Sequence, residues 1–258
     1  MRELRSEAIV LRHLDYGEAD RIVTFFAPTH GRLRGFARNA RSSKRRFAAA
    51  LEPFASAVLA WSPARQEGGL VSLKEAELLD LRAGLRADLP AIALAAYGCE
   101  LIEALFAEEE AQEQLYALLQ AFLDHLSACG GSPLARLLFE LRLLNLSGYI
   151  PHLLHCAVCF GGLAGPEVRF AAAQGGSLCP ACAGAGSAVN VSLLTIGSIA
   201  RILRGDPGNF ATIRLSPQTL AEGEALVANT LGCHLLRPLR SASLLTAAMD
   251  LSVAGGMG

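Results

Sequence analysis

Residues 19–38 read ADRIVTFFAPTHGRLRGFAR. Two runs rich in β-branched and aromatic residues flank PTHG, whose proline and glycine are turn formers, so the stretch reads as two strands joined by a turn. The pattern continues on both sides. SEAIVLRHL precedes it, and LEPFASAVLAW and GGLVSLKEAEL follow, with DYGE and SPARQEGG as further turn signals. Five strands in so short a segment predict a small barrel over residues 1–80. Within GRLRGFAR, the two-residue period of a strand puts Arg32, Arg34, Phe36 and Arg38 on one face and Leu33, Gly35 and Ala37 on the other. The second set suits a barrel core; the first does not.

Beyond residue 80 the pattern is helical. Asp88 is a candidate N-cap for LPAIALAAYGCELIEALFA, and Ser132-Pro133 opens ARLLFELRLLNLS, with Gly148 closing it and Pro151 beyond. Ser192 opens a helix ending at Gly205, and Ser216-Pro217 opens the last long one. These helices are mostly apolar all round and are expected to form a bundle. Cys99, Cys129 and Cys233 occur singly in or at the ends of helices and read as small buried hydrophobes. The run Glu108-Glu109-Glu110 reads as a solvated helix end or loop.

The 258-residue chain is 52% hydrophobic and 18% charged, enough to bury a core and long enough for two modest domains. Its most apolar stretch, 89–107, carries Glu100 and Glu103 and is shorter than the roughly 20 residues a bilayer requires. The N-terminus lacks the continuous apolar run of a secretory signal, which places the chain in the cytoplasm. The net charge of -1 conceals an asymmetry. Residues 1–82 hold 14 Lys/Arg against 10 Asp/Glu, a net of +4, and residues 83–258 hold 9 against 14, a net of -5. The basic excess peaks in RLRGFARNARSSKRRF, residues 32–47, with seven basic residues and no acidic one. Arginines flanking Phe36 make a track for phosphates with a platform for a stacked base. Arg41, Lys44, Arg45 and Arg46 follow without strand patterning and are expected to lie on a mobile loop that closes over the strand.

HCAVCFGGLAGPEVRFAAAQGGSLCPACAG, residues 155–184, carries two CxxC pairs, Cys156/Cys159 and Cys179/Cys182, with nineteen residues between them. Each CxxC turn aims two thiolates at one point, so two such knuckles complete one tetrahedral zinc site. Two disulfides or a redox CxxC are the competing readings; a cytoplasmic chain disfavours the first, and the second needs only one pair. Four thiolates leave no open position for water, which marks a structural ion rather than a catalytic one. His152 and His155 flank the first knuckle and read as surface residues. GxxxxGK[ST], HExxH and GxSxG are all missing, so neither a nucleotide motor nor a hydrolase is indicated.

Taken in order, DYGEADRIVTFFAPTHGRLRGFARNARSSKRRFAAALEPF, FELRLLNLSGYIP, CAVCFGG and QGGSLCPAC resemble the RecO family of DNA repair and recombination mediators over almost the whole chain. The resemblance implies an α+β fold: an OB-fold at 1–80, an α-helical domain from 81–151 and 188–250, and a zinc-binding insertion at 152–187. It implies binding to single- and double-stranded DNA, strand annealing and, with RecR, help in loading RecA onto DNA coated by single-strand binding protein. It implies no catalysis. Arg46 stands where the family often has a serine, which makes this loop more basic. The acidic tail of single-strand binding protein would need a basic groove, for which Arg136, Arg142, Arg201 and Arg204 are candidates. The competing function is that of a zinc-stabilised protein adaptor whose basic stretch meets an acidic partner.

Overall fold

The computed structural model describes residues 3–43, 45–66, 68–108, 110–184 and 188–255. The chain divides into two units, Met1–Gly130 and Gly131–Gly258. In the first, β1 (Leu4–Tyr16), β2 (Asp20–Ala27), β3 (Gly31–Ala37), β4 (Ser56–Ser62) and β5 (Val71–Asp80) close into a barrel in the order β1-β2-β3-β5-β4. Neighbours are antiparallel except β3 and β5, which run parallel. This is the small barrel expected from the five strand runs, with the OB-fold topology that the resemblance implied. Inside it pack Val10, Val23, Phe25, Leu33, Ala37, Leu59, Trp61 and Leu73. The Phe25 and Trp61 rings meet edge to face at 5.5 Å, and burying a side chain of Phe25's size contributes about 1.5–3 kcal/mol. The β2–β3 turn needs glycine at 31: its φ is +67°, and a Cβ there would overlap the main chain of Glu110.

Two helices belong to this first unit, α1 (Leu89–Leu105) and α2 (Glu113–Cys129). Phe26, on the outer side of β2, packs against Tyr116 of α2 with ring centroids 6.1 Å apart. Arg82 fastens the junction. It is 2% exposed, its Nε donates to Asp124 Oδ1 at 2.7 Å, and its Nη1 donates to the Phe54 carbonyl at 2.7 Å. Strand gives way to helix at Asp80, whereas the division between units falls later, after α2.

The second unit holds α3 (Pro133–Leu146), α4 (Leu193–Arg204), α5 (Pro217–His234) and α6 (Ser241–Gly255). The expected caps are present: Asp88, Ser132, Ser192 and Ser216 accept from the main-chain N–H of Ala91, Ala135, Thr195 and Thr219. A three-stranded antiparallel sheet corrects the all-helical reading of this half: β6 (Glu167–Ala171), β7 (Gly176–Leu178) and β8 (Val189–Ser192), in the order β7-β6-β8. Strands of five, three and four residues are too short for alternation to show in sequence. The lone cysteines need a second correction. Cys99 is buried as expected, but Cys129 and Cys233 are exposed, because each sits in the last turn of its helix. Among the described residues no helix is long and apolar enough to cross a membrane.

Glu222 of α5 latches the start of α4. It accepts hydrogen bonds from the Ser192 main-chain N–H and hydroxyl, both at 2.8 Å, from the Thr195 hydroxyl, and from Gln218 Nε2 at 2.8 Å. Burial raises its pKa, but the bonds from Thr195, Ser192 and Gln218 outweigh burial and hold it at about 2, below the ordinary 4.5. A carboxylate depressed by folding contributes stability that is complete above its unfolded pKa and is lost as pH falls from about 4.5 toward 2. Glu222→Gln is therefore expected to cost about 1–2 kcal/mol at pH 7 in this partly screened site. It is also expected to flatten the acid limb of stability, as measured by urea unfolding between pH 7 and pH 2.

Candidate nucleic-acid interface and metal centre

Alternation along β3 is as expected from Arg32 to Ala37, but the strand ends there, so Arg38 falls in the turn that follows rather than on the strand face. Leu33, Gly35 and Ala37 are buried, Arg34 is exposed, and Arg32 and Phe36 are half-buried. Strand register extends this outer face sideways. Thr24 of β2 pairs with Arg12 of β1 and with Arg34, and Ile22 pairs with Leu14 and with Phe36. Ser72 of β5 lies beside Phe36, and Lys74 reaches it with a 3.2 Å bond from Nζ to the Ser72 hydroxyl. Tyr16 meets Phe36 edge to face at 6.0 Å. The result is an apolar row of Leu14, Ile22 and Phe36 ending in an aromatic pair, with cationic side chains on both sides. Leu14 and Tyr16 are 59% and 56% exposed. Neither was evident in the sequence, although the spacing Arg12, Leu14, Tyr16 continues the same two-residue period.

The arginines divide into two groups. Arg32, with a side chain only 12% exposed, faces Glu108 at 3.1 Å and Glu103 at 3.5 Å, and it donates to the Phe106 carbonyl at 3.4 Å. Arg12 grips Glu103 as well, at 2.9 Å. The acidic run beyond α1, read from sequence as solvated, thus supplies a partner to Arg32 through Glu108. Glu109 lies outside the described residues. Arg34 and Arg38 are exposed, and among the described residues their side chains have no hydrogen-bond or ion-pair partner.

Past β3 the chain is a series of turns tied to the barrel rather than a free flap. Asn39 N–H donates to Asp20 Oδ1 at 2.7 Å and Arg41 N–H to the Ala19 carbonyl at 3.0 Å. Arg41 Nη1 donates to the Glu18 carbonyl at 3.1 Å, and its Nε lies 3.6 Å from Asp15. Arg46 is fixed at three points. Its guanidinium donates to the Arg38 carbonyl at 2.8 Å and stacks over Phe47 at 5.0 Å, and its own carbonyl accepts from Ala76 N–H at 2.7 Å. Arg45 is exposed. Lys44 lies outside the described residues. Of the side chains named from sequence, Arg34, Arg38 and Arg45 are exposed with no partner among the described residues, Arg41 and Arg46 are exposed but tied to main-chain carbonyls, and Phe36 is half-buried.

In the second unit the four cysteine sulfurs converge. Sγ atoms of Cys156, Cys159, Cys179 and Cys182 all lie within 4.8 Å of one another, and Cys159 and Cys179 are 3.7 Å apart. A tetrahedral ion with bonds of about 2.3 Å to sulfur sets sulfurs roughly 3.8 Å apart, so the set fits zinc. Tight turns aim the thiols: Phe160 N–H donates to the Cys156 carbonyl at 2.9 Å, and Cys182 N–H to the Cys179 carbonyl at 3.0 Å. Main-chain N–H groups of Cys159 and Cys179 draw the Cys156 thiol down to about 6, and hydrogen bonding to Cys179 and Cys159 pushes Cys182 up to about 12. The two knuckles are joined through the backbone. His152 N–H donates to the Gly175 carbonyl and Ser177 N–H to the His152 carbonyl, each at 2.8 Å. Gly176, at φ +135°, has no room for a Cβ, which would overlap the His152 carbonyl. His152 and His155 are exposed, with rings 5.6 Å apart, and stand outside the sulfur cluster.

Residues 1–82 match the family model described as Recombination protein O N terminal, and residues 86–243 match Recombination protein O C terminal. The protein named DNA repair protein RecO from Syntrophotalea carbinolica is 50% identical over 246 residues, 95% of each chain. The protein of the same name from Geobacter sulfurreducens is 39% identical over 245 residues, 95% of this chain and 98% of that one. The one from Myxococcus xanthus is 36% identical over 242 residues, 93% and 96% respectively.

The division among the arginines sets an expectation for stability. Arg32→Ala removes a largely buried cation from two carboxylates and is expected to cost about 1–3 kcal/mol. The double change Arg34→Ala, Arg38→Ala touches no partner and should stay within about 0.5 kcal/mol of the parent. Urea unfolding of the two variants side by side checks the contrast.

Proposed function

The chain belongs to the RecO family of DNA repair proteins, and from that membership together with the outer face of the barrel we propose a non-enzymatic recombination mediator. It binds single- and double-stranded DNA, anneals complementary strands and, with RecR, helps RecA load onto DNA coated by single-strand binding protein. It does so in the cytoplasm, at the nucleoid during repair. The observation that carries this reading is exposed Arg34 on the same outer face of β3 as Phe36, which meets Tyr16, with exposed Arg38 just beyond the strand. Guanidinium groups take phosphates by releasing counterions, and aromatic rings take the faces of bases without regard to sequence. Both are binding effects, so strand repulsion is screened while bases stay accessible, and annealing needs no nucleotide hydrolysis. Arg41, Arg45 and Arg46 extend the basic track along the turns, and Lys44, outside the described residues, adds one more charge to that stretch of sequence. Arg32, held by Glu103 and Glu108, positions the strand under that track.

The four cysteines hold one zinc ion per chain in this reading. A closed set of thiolates gives the ion a folding role: when bound, it neutralises the clustered sulfurs and cross-links the two knuckles. The domain plan that follows is a DNA-binding barrel at 1–80, helices over 81–151 and 188–250, and a zinc segment at 152–187.

Arg34→Ala with Arg38→Ala is expected to weaken single-strand binding of any sequence and to lower the salt slope by roughly 1.4, two phosphate contacts at about 0.7 each. Phe36→Ala or Tyr16→Ala should weaken binding by about 1–3 kcal/mol with the slope nearly unchanged. Fluorescence anisotropy at several salt concentrations separates the two effects. Unaltered affinity and slope in a folded double-arginine variant would overturn the assignment of this face.

Metal analysis of the untreated protein should find one zinc per chain. Cys156→Ser with Cys179→Ser should bring it to none and expose the knuckle amides to hydrogen exchange, with DNA binding by the barrel retained. Zinc missing from the untreated protein would refute the metal assignment.

A further inference from the structure

Arg142 is the least expected charge in the second unit. It lies in α3, is 3% exposed, and stacks its guanidinium 4.5 Å from the Phe210 ring centroid. Its Nη2 donates to the Asn209 carbonyl at 2.6 Å, but Nε and Nη1 have no partner among the described residues. Unpaired buried donors on a cation are costly, and a protein retains them where a ligand completes them. Arg142 lines a cavity of about 420 Å³ together with Arg201, Arg214, Ser198, Asp206 and Ile202. Arg201 and Arg214 are exposed, and Arg214 is held in place by Nη1 bonds to the carbonyls of Ala211 and Ile213 at 2.6 and 2.8 Å. The single carboxylate is partly committed: Asp206 Oδ1 accepts from Gly208 N–H at 2.8 Å. Burial lowers the pKa of Arg142 and Asp206 opposes that shift, the signature of a desolvated cation with little compensating charge.

Three guanidinium groups against one carboxylate leave the cavity with an excess of two positive charges. A phosphomonoester, at about −1.5 to −2, matches that excess, whereas one carboxylate group leaves half of it unmet. The geometry also favours a tetrahedral group. Donors line the cavity from four side chains, Arg142, Arg201, Arg214 and Ser198, so three terminal oxygens find donors where a planar carboxylate offers two. Ile202 supplies an apolar wall for the organic part of the ligand.

We propose that this cavity is a phosphate site that takes a phosphomonoester, either the 5′-phosphorylated end of a DNA strand or a free nucleotide, with Arg142 at its floor and Arg201 and Arg214 at its mouth. The site belongs to the second unit and stands whether or not the barrel face binds DNA.

The test is isothermal titration of the full chain, at fixed ionic strength, with inorganic phosphate, a mononucleotide, and a trinucleotide with or without its 5′-phosphate. One saturable phosphate site is expected, and in the Arg34→Ala, Arg38→Ala background, which removes the barrel-face contacts, the phosphorylated trinucleotide is bound roughly tenfold or more tightly than its unphosphorylated twin. Arg201→Ala with Arg214→Ala, both at exposed positions, should weaken phosphate binding roughly tenfold or more, whereas Arg34→Ala with Arg38→Ala should leave it unchanged. Arg142→Met should abolish it, and if that variant does not fold, the exposed pair decides. Tighter binding of the trinucleotide than of the mononucleotide identifies a strand end as the source; the reverse identifies a free nucleotide. The proposal is overturned by the lack of saturable phosphate binding, by undiminished binding in the Arg201/Arg214 variant, or by an acidic peptide with a free C-terminus that occupies the cavity and is not displaced by phosphate.

Discussion

The buried guanidinium of Arg82 is the contact around which the first unit is arranged. It leaves β5 in a left-handed turn, with φ +49°, and reaches Asp124 on α2 and the Phe54 carbonyl at the entry to β4. One cation thus ties the strand that ends the barrel, the loop that enters β4 and a helix outside it. A buried charge whose partner is removed costs about 3–5 kcal/mol, so these elements are constrained to keep their relative places. The helices gain a fixed seat on the barrel wall, and from that seat Glu103 and Glu108 reach the strands.

That seating determines which basic residues remain available. The basic stretch is uniform in sequence, but α1 and the segment after it draw Arg32 into ion pairs, and the turns after β3 draw Arg41 and Arg46 onto main-chain carbonyls. Arg34 is left exposed on the outer face of the sheet, and Arg38 is left exposed in the turn just beyond it. A cluster of like charges on a small barrel would repel itself; pairing some members and leaving others exposed reduces that repulsion while keeping a positive face.

Much of this was readable because it is local. Strand alternation, the caps at Asp88, Ser132, Ser192 and Ser216, and the paired CxxC turns are set by residues within a few positions of one another. What was not readable is non-local or too short. Glu103 and Glu108 lie far along the chain from Arg32, so no window of sequence shows them together. Tyr16 joins Phe36 only through the register of β1 on β2 and β2 on β3. The β6–β8 sheet consists of strands barely longer than a turn. Arg142 reads in sequence as one polar residue on an apolar helix, and its unpaired donors are evident only once Asn209 and Phe210 are folded against it.

The backbone staple between His152 and β7 bears on how tightly the cysteine cluster can hold an ion. Closing the loop between the two CxxC pairs costs entropy that grows with the logarithm of its length, and in an unfolded peptide the ion must meet that cost. Here the two hydrogen bonds about His152, locked by the glycine at 176, have already brought the ends together. The four sulfurs are therefore arranged as a preformed chelate, in which an arriving ion would spend little of its binding free energy on ordering the chain. The backbone bonds bring the knuckles together, and an ion held by the four sulfurs would add the cross-link that fixes them there.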